Sequence, residues 1–139
     1  MLLNKIKFTS RRVAGLLVLF LAISCFYSSV QAASYTVETV PNAHLSDRSN
    51  RVSNPDGIIL PEDVATINQM LQLVEDSLSI EVAVVAIESI GDNDARMFAT
   101  DLFKHWGIGK KGEDNGLLIL LVTDPAQRAV VFETGYGIE

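Results

Sequence analysis

Two short uninterrupted apolar runs do most to limit what this chain can fold into. Residues 82–87 read Val-Ala-Val-Val-Ala-Ile, and residues 117–122 read Leu-Leu-Ile-Leu-Leu-Val. A half-exposed strand alternates polar and apolar positions. A run without alternation, this short and bounded by polar breaks, fits a strand covered on both faces. Between the two, Gly91-Asp92-Asn93-Asp94 breaks the chain and offers an N-cap. Phe98, Leu102 and Trp106 then recur on one face of a helix expected over residues 93–106, with Ala99 and Phe103 beside them and Gly107 as its stop. Strand, helix and strand at this spacing make one βαβ unit, with the two strands parallel.

The flanking segments extend that unit. Pro61 suits the first helical position, and Glu62 and Asp63 suit the positive end of a helix dipole. Val64, Ile67, Leu71, Val74 and Leu78 follow at steps of three and four, so a helix over residues 61–78 is expected, with one apolar stripe. After a turn at residues 123–128, residues 129–133 return as a third strand, forming a hairpin with the second. Residues 33–57 carry Pro41, Pro55, Asn42, Asn50 and Asn54 without apolar periodicity and read as an irregular arm. The expected class is α/β: a mixed β-sheet flanked by helices, an α/β/α sandwich with one βαβ unit followed by a hairpin. Strands covered on both sides need a further helix, so the domain is expected to continue past Glu139 and to be truncated here.

Compartment is read from the first 32 residues. Lys5, Lys7, Arg11 and Arg12 precede an apolar stretch at residues 13–25, and Val30-Gln31-Ala32 places small residues where a signal peptidase reads. This is the pattern of a secretory signal peptide cleaved after Ala32, and the apolar stretch is shorter than the roughly 20 residues that span a bilayer. Leu21-Ala22-Ile23-Ser24-Cys25 loosely resembles a lipoprotein processing box without the usual large aliphatic residue three places upstream, so lipidation at Cys25 is the competing expectation. Cleavage after Ala32 leaves no cysteine, and therefore no disulfide, thiol nucleophile or zinc–thiolate site. Four of the 11 basic residues leave with the leader and none of the 17 acidic ones, so seven positive charges face seventeen negative ones. Such a domain repels nucleic acid and anionic lipid and favours divalent cations or a basic partner. An exported, periplasmic or cell-envelope location is expected.

Several known motifs fail on inspection. Gly107-Ile108-Gly109-Lys110-Lys111-Gly112 has Walker-like glycine spacing, but Glu113 stands where the lysine belongs and a strand follows instead of a helix. Asp92-Asn93-Asp94 starts like an EF-hand loop, but Met97 and Phe103 occupy the required glycine and glutamate positions. His44 and His105 belong to no triad or ligand spacing. What remains comes from topology. The helix over 93–106 delivers residues 107–115 to the edge where the second strand begins, and the third strand returns to that edge, ending in Gly135-Tyr136-Gly137-Ile138-Glu139. Asp114 and Asn115 are thus expected near Glu139. Two carboxylates and an amide oxygen are ligands for a hard cation, with backbone and water supplying the rest. The plainer reading, a turn entering a strand at Asp114-Asn115-Gly116, stands beside it.

Asp56-Gly57-Ile58-Ile59-Leu60, Phe103-Lys104-His105-Trp106-Gly107-Ile108-Gly109, Asp114-Asn115-Gly116-Leu117-Leu118 and Gly135-Tyr136-Gly137-Ile138-Glu139 together resemble the TPM domain, from about Pro41 to the last residue. That family is named for a thylakoid-lumen protein of photosystem repair, its cyanobacterial relative and a worm acetylcholine-receptor modulator. The resemblance implies an exported α/β/α sandwich, sometimes followed by a membrane anchor. It also implies calcium binding, with magnesium less favoured, and acid phosphatase activity. Carried over by position, the metal residues it implies are Asp56, Asp114, Asn115 and Glu139. Two functions are open on this reading. One is a calcium-binding envelope module supporting a membrane protein complex, with weak phosphatase activity at most. The other is a metal-assisted phosphomonoesterase, with Lys110 or Lys111 steadying charge in the transition state.

Overall fold

The structure, a computed structural model, describes residues 34–138. The leader, Cys25 and Glu139 lie outside the described residues. The chain order is α1 (Ala43–Ser46), β1 (Val52–Ser53), α2 (Pro61–Leu78), β2 (Glu81–Ile87), α3 (Ala95–Trp106), β3 (Gly116–Val122), β4 (Ala129–Thr134) and a 3-10 turn (Tyr136–Ile138). The strands form one mixed open sheet in the order β1-β2-β3-β4. β2 and β3 pair in parallel from Glu81↔Gly116 to Ile87↔Val122, and β4 returns antiparallel from Val122↔Ala129 to Leu117↔Thr134. With its helices packed on the sheet this is an α/β sandwich, as the apolar runs predict.

One face of the sheet carries the core. Val85 and Ile87 of β2 and Leu118, Leu120 and Val122 of β3 pack with Phe98, Ala99 and Leu102 of α3, joined by Val40, Ile90 and Ile108. Each large apolar side chain so buried contributes about 1.5–3 kcal/mol. The ends of α3 are fixed locally. The Asp94 carboxylate accepts from the backbone N–H groups of Arg96 and Met97, both at 3.0 Å. At the other end Gly107 takes the left-handed conformation, φ 63°, that closes the helix.

Three features differ from the sequence expectation. β3 is not covered on both sides: Leu117, Ile119 and Leu121 are only half-buried, and beside them on β4 Val130 and Phe132 are 59% and 60% exposed. An unbroken apolar run cannot by itself report which side its neighbours cover. α2 buries no residue fully; Val64, Ile67, Leu71 and Val74 are half-buried and Leu78 is exposed. The arm is also more ordered than its composition predicts. Val52–Ser53 adds a fourth strand, parallel to β2 at Val52↔Val84, so α2 becomes the crossover of a second βαβ unit. Two residues are too few to display a period. β1 is held by hydrogen bonds instead: the Arg51 N–H donates to Asn68 Oδ1 of α2 at 2.7 Å, and the Arg51 guanidinium pairs with Glu75. Among the described residues no helix is long and apolar enough to cross a membrane.

Candidate functional site

Parallel strands give the sheet two chemically distinct edges, and the candidate residues divide between them. At the amino edge, where β2 and β3 begin, the 107–115 loop is folded around Asn115. This side chain is 7% exposed. Its Oδ1 accepts from the Lys110 N–H at 2.7 Å, and its Nδ2 donates to the Ser79 carbonyl and to Glu113 Oε2. Glu81 Oε2 accepts from the Gly109 N–H at 3.1 Å and ties the same loop to β2. Asn115 therefore has both ends of its carboxamide engaged and positions the loop.

Asp114 sits beside it at φ 49°, a left-handed conformation that aspartate tolerates better than most residues. Its carbonyl accepts from the Gly137 N–H at 2.9 Å, while the Gly135 N–H donates to the Gly116 carbonyl at 2.9 Å. A Cβ at Gly135 would run into the Asp114 carbonyl and one at Gly137 into the Glu113 carbonyl, so this crossing requires glycine on both sides of Tyr136. The topology thus brings Asp114 against the segment that leads to Glu139, as the order of elements predicts. The Asp114 carboxylate makes no hydrogen bond among the described residues. It lines a groove of about 380 Å³ with Lys104, Glu133, Gly135 and the ring of Tyr136. Glu133 was not singled out by spacing; its signal is an acidic residue near the end of an edge strand that returns to the same loop.

Asp56 lies at the other edge. Its Oδ1 accepts from the Tyr35 hydroxyl at 2.8 Å and its Oδ2 from the Glu88 N–H at 2.7 Å. Glu88 follows the last residue of β2, seven positions along from Glu81, a separation of roughly 23 Å at the rise of a strand. The structure therefore does not bring Asp56 together with Asp114 and Asn115. Partial burial, the bond to Asp56, and the charges of Asp56 and Glu88 hold the Tyr35 phenol above its ordinary 10.0. The Asp124 N–H donates to the Glu88 carbonyl at 2.8 Å, so Asp56, Glu88 and Asp124 follow one another along the carboxyl edge. Glu88 and Asp124 also escaped sequence reasoning; an acidic residue one or two positions past the end of a parallel strand is the pattern that marks them. Among the described residues no three His, Cys, Asp or Glu side chains stand close enough to hold a metal ion. Beside Asp114, the lining of its groove includes one further acidic residue, Glu133.

A mixed four-stranded sheet with a glycine-flanked tyrosine crossing an Asp-Asn-Gly loop defines the class, and the comparisons agree with it. The sequence model of the TPM domain matches residues 52–139. The chain belongs to the TPM domain family. Among solved structures it is similar to the solution NMR structure of the N-terminal domain of a protein from P. gingivalis, at 38% identity and a TM-score of 0.69. That match covers 77% of this chain and 67% of the other. No curated protein matches.

Proposed function

We propose that this member of the family is an exported divalent-cation-binding module, taking calcium at the amino edge of the sheet and serving a membrane or envelope protein complex. The observation that carries the reading is the Asp114 carboxylate. It is held in a fixed left-handed turn by the Gly137 contact, it has no protein partner among the described residues, and it shares a groove with Glu133. Glu139 follows the 3-10 turn in sequence and lies outside the described residues; as a third carboxylate for the cation it is part of this proposal. Calcium suits such a partial oxygen shell, because it accepts irregular geometry and water ligands; magnesium demands a near-ideal octahedron. Asn115 serves as a positioning residue, and Asp56 belongs to the other edge. The leader pattern at residues 1–32 supports export, and the excess of acidic residues supports attraction of cations.

A metal-assisted phosphomonoesterase is the second reading. Lys104 lines the same groove as Asp114 and Glu133, which puts a positive charge where a phosphate beside the cation would sit. One experiment separates the two. Calorimetric titration of the full chain with calcium and with magnesium is run beside p-nitrophenyl phosphate turnover in the same samples. Saturable calcium binding without turnover, lost in Asp114→Ala, is the expected result. Turnover that follows metal occupancy and disappears in Asp114→Ala makes the chain an enzyme. No saturable binding of either cation overturns both readings.

A further inference from the structure

β4 is an outer strand of the sheet, and the ladder it forms with β3 fixes which of its backbone groups are spare. The Gly135 N–H donates to the Gly116 carbonyl opposite it, so the odd-numbered residues of β4 turn their N–H and C=O groups toward β3. The far side of β3 agrees. The Asn115 carbonyl accepts from the Glu81 N–H and the Thr123 N–H donates to the Ile87 carbonyl, so odd residues there bond to β2 and even ones to β4. Val130, Phe132 and Thr134 therefore point their backbone groups away from the sheet, and among the described residues no strand pairs with that side. The side chains of the same three residues are exposed.

Free edges are normally guarded by shortness, lysine, proline or a bulge. β1, at the other edge, is only two residues long. β4 has none of these guards: Ala129–Thr134 runs in continuous register without lysine or proline. Its surroundings also carry opposite charges at the two ends. Arg128, exposed and in no ion pair among the described residues, precedes the strand. Glu133 lies near its close and shares a groove with Asp114. Laid antiparallel on a copy of itself, the strand brings each Arg128 to the acidic end of the other copy. A two-fold axis at Val131 achieves this with outward residues facing outward residues. Val130 then stands opposite Phe132 of the second copy, Arg128 opposite Thr134, and Glu133 opposite Ala129 instead of another carboxylate.

We propose that two copies of this chain associate through β4, edge to edge and antiparallel, joining their sheets into one. Val130 and Phe132 exchange roughly four N–H···O bonds with the second copy, and their apolar side chains become cross-strand neighbours. A contact this narrow falls below the ~1,200 Å² of total buried surface at which stable complexes begin, so the dimer is transient. The acidic excess of each copy opposes it at long range, but physiological salt screens charges beyond about 8 Å.

The test is sedimentation of the full chain at physiological salt up to about 1 mM, beside amide hydrogen exchange across the same concentrations. A monomer–dimer equilibrium is expected, with exchange at Val130, Phe132 and Thr134 slowing in proportion to the dimeric fraction. Val131 and Glu133, already bonded to β3, keep their rates. Phe132→Pro removes an outward N–H that β3 does not use, a change edge strands tolerate, and weakens the dimer at least ~tenfold. Arg128→Glu leaves the strand itself untouched and also weakens it, by placing like charges together. Met97→Ser removes an exposed apolar residue of α3, away from β4, and leaves association unchanged. A chain that stays monomeric to about 1 mM overturns the proposal, the edge then being left to an extended segment of another protein. Association that leaves the Phe132 amide exchanging as fast as in dilute solution overturns it too, as does undiminished association in both Phe132→Pro and Arg128→Glu.

Discussion

At the scale of single residues, the amino edge is organised by side chains that shape backbone. Asn115 closes the 107–115 loop with three hydrogen bonds from a nearly buried carboxamide. Asn115→Ala leaves the Lys110 N–H and the Ser79 carbonyl without that partner, so a loss of about 2–4 kcal/mol is expected, measured by urea denaturation. Tyr35 makes the corresponding prediction for the carboxyl edge. Its phenol keeps its proton to higher pH in the folded chain than in the unfolded one, so the folded state binds more protons in that range. The stabilising contribution is complete below pH 10.0 and is lost as pH rises through the raised value. Melting temperatures of the parent should therefore fall more steeply than those of Tyr35→Phe between neutral pH and strongly alkaline solution. Sequence spacing and chain order were enough to place Asp114 and Asn115 beside the Gly135-Tyr136-Gly137 segment. They were not enough to show that the Asn115 oxygen is already bonded, because a hydrogen-bond partner five residues away, on a loop without periodicity, leaves no pattern in composition.

Among the elements, β2, β3 and α3 were legible because each announces itself through a run, a stripe or a cap. β1 was not: two residues between polar neighbours have no period, and the strand exists because Asn68 and Glu75 of α2 hold Arg51 in line with Val84. Among the described residues β3 is fully covered on one face only. Leu and Ile at every position satisfy a strand buried on two sides and a strand buried on one side equally well. The exposed pair Val130 and Phe132 of β4 carries a direct consequence. Val130→Thr with Phe132→Ser removes apolar surface from an edge strand without opening a cavity in the Leu118–Leu120 core. Stability is expected to change by no more than about 0.5 kcal/mol per site. Self-association, read by light scattering at rising protein concentration, is expected to drop, because a free apolar strand edge is a template for pairing.

For the molecule as a whole, the larger buried cluster lies on the α3 side of the sheet, with Val52, Val82 and Ala86 the only other buried apolar residues among those described, and stability should be graded accordingly. β2, β3 and α3 share the fully buried cluster, whereas α2 contributes no fully buried residue. Hydrogen exchange is expected to show the amides of α2 opening at lower free energy than those of β2 and β3; equal protection would mean that the sheet and α2 unfold as one unit. The path of the chain through this sheet has a mechanical side as well. Tyr35 bonds to Ser89 and Asp56 at the carboxyl edge, while β4 runs back and passes Asp114 at the amino edge. The described chain therefore comes in at one end of the strands and goes out at the other. A pull between those two points acts along β4, and the six paired positions between Leu117↔Thr134 and Val122↔Ala129 carry the load together. Tension applied between those two points would have to slide β4 lengthwise along β3, not unzip it bond by bond.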